Sequence, residues 1–156
     1  MGKHARILIV DDDESIRTVL AAILEEKGYA VATAETGKQG IQKSHDGFYS
    51  LALVDICLPD MVGTKVLPCL KETMPRMRKI IITGYPSLQN AVEALNEGAD
   101  AYVMKPLDME KVLQTIEEQL KKQEEEKSYS QEKVTEFIET RVKELEGQKV
   151  PTRKTL

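Results

Sequence analysis

Four acids, one hydroxyl and one ammonium stand where they can act together. Asp11, Asp12 and Asp13 form a run directly after the apolar segment Arg6–Val10, and Asp55 follows the apolar segment 50–54. Thr83 closes another such segment, 79–83, and Lys105 follows Ala101–Met104, with Pro106 next. Carboxylates brought close together repel one another and stay ionised only where a cation joins them. A set of hard oxygens with room left for water suits Mg²⁺. A phosphoryl group adds oxygens and negative charge, which Mg²⁺ and a lysine ammonium offset during in-line transfer. A carboxylate in such a place has the chemistry of a nucleophile, and Asp55 is the candidate.

The elements that must position these groups read as a repeating pattern. Segments 6–10, 29–34, 50–54, 79–83 and 101–104 are short apolar runs without polar alternation, as expected of strands buried on both faces. Between them lie helix patterns. Ile16, Val19, Leu20, Ile23 and Leu24 follow 3.6-residue spacing, and Gly28 stands where a C-terminal glycine cap belongs. Residues 36–45 predict a shorter helix. Residues 64–73, with Val66, Leu67 and Leu70, predict another, with Pro68 in its first turns. Ser87 caps a stretch with Ala91, Val92, Ala94 and Leu95, closed by Gly98. Val112, Leu113, Ile116 and Leu120 mark a fifth helix starting near Asp108. Strand and helix alternating five times imply an α/β fold: a parallel sheet with helices on both faces. Ligands of such sheets bind outside the carboxyl ends of the strands. Every chemically active candidate falls at such an end.

Bulk composition narrows the classes. The chain has 156 residues, 41% of them hydrophobic, enough for one core. Its net charge of −4 argues against a broad nucleic-acid surface, so no direct nucleic-acid binding is expected. Two cysteines, Cys57 and Cys69, without a CxxC pair, suggest free thiols in a reducing compartment. No run approaches the ~20 apolar residues that span a bilayer, and no secretory leader is recognisable. A cytoplasmic protein, away from membranes, is the expectation.

The strings LIVDDDESIR, LVDICLPDMVG, IIITGYP and GADAYVMKPL resemble the four signature regions of a response-regulator receiver domain, the phospho-accepting module of two-component phosphorelays. The resemblance covers residues 6 to 120. It implies a flavodoxin-like fold of five parallel strands in the order 2-1-3-4-5. It implies that Asp55 accepts the phosphoryl group and that Asp11 and Asp12, with the main-chain carbonyl of Cys57, hold Mg²⁺ beside it. Thr83 matches the hydroxyl that bonds the phosphoryl group and shifts on activation, and Lys105 matches the lysine that pairs with a phosphoryl oxygen. Tyr102 matches the aromatic whose ring turns inward as the switch closes. The Lys105–Pro106 bond is implied to be cis. The implied partners are a sensor histidine kinase or phosphotransfer protein and a downstream output domain or protein. The surface of the fourth helix, fifth strand and fifth helix is the one implied to change. On this reading the chain is a signal acceptor that assists its own modification, not primarily an enzyme. Two positions stand out. Gly84 follows Thr83 where many relatives have alanine, which frees that loop. Tyr85 stands two residues past Thr83, where its ring can shield the acyl phosphate.

Blander readings apply to single residues. Asp13 is best read as a helix cap, with Ser15 nearby. Taken alone, Tyr102 reads as a half-buried strand aromatic and Lys105 as a solvated loop lysine. His4 and His45 read as surface residues, Cys69 as core, and Met61, Met74, Met77, Met104 and Met109 as packing. An enzymatic alternative exists: Asp11-x-Asp13-x-Ser15 is similar to the nucleophile motif of haloacid-dehalogenase-type phosphatases, also Mg²⁺-dependent. That family needs a late acidic pair, whereas only Asp108 follows Lys105, and Asp55 goes unused. A nucleotide- or flavin-binding module lacks its glycine-rich loop here.

Residues 1–122 are therefore read as the receiver-like domain and residues 123–156 as a charged helical tail or linker. Residues 121–127 have no apolar face, and Ser128 and Ser130 either interrupt the helix or start another. Val134, Phe137, Ile138, Val142 and Leu145 then return at helical spacing, a stripe that wants a partner: the tail pairs with a second copy of the chain, folds back on the receiver, or links it to an output or sensor module, and a helical tail that dimerises or links is the expectation.

Overall fold

A computed structural model describes residues 5–154, with side chains described for residues 5–147. Five strands, β1 (Arg6–Val10), β2 (Ala30–Ala34), β3 (Leu51–Asp55), β4 (Arg78–Thr83) and β5 (Ala101–Met104), alternate with five helices. These are α1 (Glu14–Glu26), α2 (Gly37–His45), α3 (Gly63–Val66), α4 (Leu88–Asn96) and α5 (Met109–Lys154). The sheet is parallel throughout and runs β2-β1-β3-β4-β5. The chain divides into two compact units between Gln123 and Glu124.

In the first unit the two sheet faces carry separate cores, because successive strand side chains point to opposite sides. Leu8, Val10, Ala52, Val54 and Ile81 pack against Val66, Leu67 and Ala94. Ile7, Ile9, Leu51, Leu53, Ile80 and Ile82 pack against Leu20 and Leu24 of α1 and against Val112, Ile116 and Leu120 of α5. Burial of both faces is why the strands read as unbroken apolar runs. α1 and α4 end at Gly28 and Gly98, whose φ values of 97° and 102° satisfy the left-handed turn that closes a helix. Asp13 caps α1, accepting from the Ile16 N–H at 3.2 Å.

Three expectations are corrected. The helix expected over 64–73 ends its α turns at Val66 and continues only as a 3₁₀ turn, Leu67–Cys69. Pro68 has no N–H to donate, so the α-helical ladder does not continue through it. The early turn leaves Leu70 in the core and Cys69 exposed, against the expectation for Cys69. Met77 is core, but Met74 and Met104 are exposed. His45 lies on the surface as expected, and His4 falls outside the described residues.

The second unit is helical. α5 passes Ser128 and Ser130 without interruption, since no glycine or proline stands between 121 and 146. Among the described residues no helix is long and apolar enough to cross a membrane.

Asp100, just before β5, joins three segments. Its carboxylate accepts from Arg76 Nη1 at 3.0 Å, from Arg78 Nη1 at 3.3 Å and from the Lys79 N–H at 2.9 Å. Burial disfavours its charge, but the Arg76 bond, the Lys79 amide and the Arg78 charge outweigh it and hold the carboxyl below its usual range. A lowered folded-state value means that the stabilisation is present above the unfolded value of about 3.9 and is lost as pH falls through the folded one. Asp100→Asn is therefore expected to destabilise at neutral pH, with the gap to wild type narrowing towards about pH 3. Denaturant unfolding across that range checks it; a gap independent of pH contradicts the account.

Candidate functional site

At the carboxyl ends of β1 and β3 the sequence turns from apolar to acidic within one residue, so the sheet's own register delivers the acids to one place. Val10 pairs with Val54, which sets Asp11 and Asp55 one step further on. One oxygen from each of Asp11, Asp12 and Asp55 lies within 4.8 Å of the others. Asp11 and Asp55 are buried and Asp12 is exposed, which leaves the cluster open on one side.

The two buried acids are held by main-chain amides. Asp11 Oδ1 accepts from the Asp13 N–H at 2.9 Å, and the Asp11 carbonyl accepts from Arg17 Nη1 at 2.7 Å. Asp55 Oδ1 accepts from the Cys57 N–H at 3.2 Å. Lys105, delivered by the end of β5, places Nζ 3.1 Å from Asp55 Oδ2 and 3.1 Å from Asp11 Oδ2. The Asp11 contact is an ion pair, and among the described residues no well-formed hydrogen bond reaches this buried oxygen.

The electrostatics follow from crowding. Burial, and then the Asp11 charge, push the Asp55 carboxyl above its usual range, while Lys105 and the Cys57 amide pull it down without fully compensating. Burial disfavours the Lys105 ammonium, yet Asp11 and Asp55 outweigh it and raise its value. One ammonium thus sits against two buried carboxylates with a third at the rim. A buried acceptor without a well-formed hydrogen bond, in an all-oxygen set beside solvent, is the environment a small hard cation fits.

Thr83 is fully buried at the end of β4, and its Oγ1 accepts from the Tyr85 N–H at 3.0 Å. The Lys105 N–H donates to the Thr83 carbonyl at 2.7 Å, which ties the two strand ends together. Tyr102 is half-buried against the cluster that contains Leu8 and Ile81, with its hydroxyl buried and, among the described residues, without a hydrogen-bond partner. Cys57 is exposed beside the acids, and Tyr85 stands mostly in solvent. The Lys105–Pro106 bond is cis, as the resemblance implied.

The family model of the response regulator receiver domain matches residues 7–117. The chain belongs to this family. The receiver is 41% identical over 119 residues to the transcriptional regulatory protein ZraR of Klebsiella oxytoca, a match covering 76% of this chain and 27% of ZraR. It spans about a quarter of the length of that relative. A CheY-like receiver domain protein from Methanospirillum hungatei JF-1 superposes with a TM-score of 0.75 at 48% identity, covering 79% of this chain and 98% of that one. The beryllofluoride-activated NtrC4 receiver domain dimer gives a TM-score of 0.71 at 36% identity, covering 79% of this chain and 99% of the other. The fold and family read from the sequence are thus those of a two-component receiver. The phosphatase alternative finds no support: Asp11 is fully buried, and the late acid Asp108 caps α5 by accepting from the Glu110 N–H at 3.1 Å.

Sequence reasoning missed several residues that shape the receiver's site. Arg17 grips the Asp11 carbonyl across one turn of α1 and reaches Glu35 at 3.5 Å. Asp60 binds the first turn of α2. Gly63 was quoted within a motif but given no role. A Cβ on Gly63 would lie 2.0 Å from the Asp55 carbonyl oxygen and 2.7 Å from Ile56 Cα, both main-chain atoms that cannot turn aside. Only glycine lets α3 start this close to the end of β3. Gly63→Ala is expected to destabilise the receiver by about 3 kcal/mol and to displace Asp55. Thermal unfolding checks the first effect; a variant as stable as wild type contradicts the close-approach argument.

Proposed function

We propose that this receiver is a phosphorylation switch that takes a phosphoryl group on Asp55 from the phosphohistidine of a sensor histidine kinase or phosphotransfer protein. A carboxylate oxygen of Asp55 bonds to phosphorus as the phosphorus–nitrogen bond breaks, and the imidazole keeps the electron pair and takes a proton. The observation that carries this reading is Asp55 at the centre of the cluster, 3.1 Å from Lys105 and grouped with Asp11 and Asp12.

Asp11, Asp12, Asp55 and the main-chain carbonyl of Cys57 are the groups proposed to hold Mg²⁺, the cation typical of the family. When bound, Mg²⁺ supplies positive charge against the carboxylates and the phosphoryl oxygens. Lys105 moves from balancing two carboxylates to pairing with a phosphoryl oxygen. Thr83 turns its hydroxyl from the Tyr85 amide to the new phosphate. The volume Thr83 leaves is available to Tyr102, whose buried hydroxyl has no competing bond to give up. A local charge event thereby biases a two-state element at α4 and β5.

That face already carries apolar side chains in solvent: Leu88 is 82% exposed, Leu95 66% and Met104 56%. It suits an output domain, an output protein or a second copy. In residues 123–156, proposed as a charged helical tail or linker, Val134, Phe137, Ile138, Val142 and Leu145 are all exposed and offer a second surface for self-association.

Incubation with Mg²⁺ and acetyl phosphate should add one phosphoryl mass to wild type and none to Asp55→Asn, as read by intact mass. Modification of Asp55→Asn to the same extent overturns the assignment. Ile138→Glu should lower the mass of any dimer seen by light scattering. Equal masses remove the tail as the dimer surface.

A further inference from the structure

The loop that leaves the phosphorylation strand is closed at its base and pinned at its tip. Cys57 and Val62 pair as an isolated antiparallel bridge, and the Gly63 N–H donates to the Ile56 carbonyl at 2.7 Å. At the tip, Asp60 Oδ1 accepts from the Gly37 N–H at 2.8 Å and Asp60 Oδ2 from the Lys38 N–H at 2.9 Å. These are the first two amides of α2, which have no partner inside the helix. The next free amide, that of Gln39, is taken by Thr36 Oγ1 at 3.0 Å. α2 thus has its own cap and a second one lent by a loop more than 20 residues away. The neighbouring Met61 fills the place of a side chain on Gly37: a Cβ there would lie 2.4 Å from Met61 Cγ. Two charge-assisted bonds and one apolar contact fasten the same stretch of loop to the same turn of helix.

We propose that Asp60 is a positioning residue for the cation site, fixing the loop through which Cys57 is presented to Asp55. The inference rests on the reading that Asp11, Asp12, Asp55 and the Cys57 carbonyl hold Mg²⁺. The Cys57 amide already bonds Asp55 Oδ1, so the loop's orientation sets both that bond and the direction of the adjacent carbonyl. Asp60 touches none of the acids and acts through main chain. The Lys38 and Gly37 amides hold its carboxyl below the usual range.

The control is built into the helix. Thr36→Ala removes the cap α2 supplies to itself and leaves the loop untouched, whereas Asp60→Ala removes only the lent cap. Mg²⁺ binding to the full chain, measured by isothermal titration, should weaken about tenfold in Asp60→Ala, the size usual for partners outside the ligand set. Asp60→Asn, with one acceptor oxygen, should fall between, and Thr36→Ala should match wild type. Without Mg²⁺, amide hydrogen exchange over residues 57–62 should speed up in Asp60→Ala and not in Thr36→Ala. Equal Mg²⁺ affinity in wild type and Asp60→Ala, or an equal loss in Thr36→Ala, overturns the inference while leaving the cation reading intact. Wild type that binds no Mg²⁺, like Asp12→Asn, overturns both.

Discussion

One lysine ammonium set among buried carboxylates is the interaction on which the rest depends. Lys105 stands 3.1 Å from both Asp55 and Asp11, with Asp12 at the rim. Its single charge cannot balance three, so burial and mutual repulsion leave the Asp55 carboxyl raised. Such a site is poised: it favours whatever brings positive charge and tolerates new negative charge only alongside it. The apolar sheet makes this possible. Strands buried on both faces carry their acids at their carboxyl ends, Asp55 closing β3 and Asp11 following β1, where the chain re-emerges to solvent.

The site is held chiefly by main chain. Asp11 and Asp55 each accept an amide two residues on, and Arg17 fixes the Asp11 carbonyl. Gly63 lets α3 begin against the Asp55 carbonyl, and Asp60 ties the intervening loop to α2. Beside this main-chain framework stand Thr83, buried with its hydroxyl accepting from the Tyr85 amide, and the half-buried ring of Tyr102.

The first unit is fastened along α5 as far as Gln123, whose buried amide donates to the carbonyls of Ser50 at 2.9 Å and Arg76 at 2.8 Å. Beyond it, Val134, Phe137, Ile138, Val142 and Leu145 of the helix are exposed.

The strand-end placement of Asp11, Asp55, Thr83 and Lys105 was legible in the chain because it is local, and the four signature strings implied the family and, through it, the strand order. Apolar runs, acids directly after them and glycine stops repeat at short range, and a parallel sheet then aligns the ends. Pro68 ended α3 early through a lost donor, which left Cys69 in solvent. Asp60 on α2, Gln123 on Ser50 and Asp100 on Arg76 join residues 22, 73 and 24 positions apart. No periodicity encodes such pairs. Composition and spacing settle which groups reach the sheet's edge, whereas packing in three dimensions settles which of them are buried, bonded or left wanting a cation.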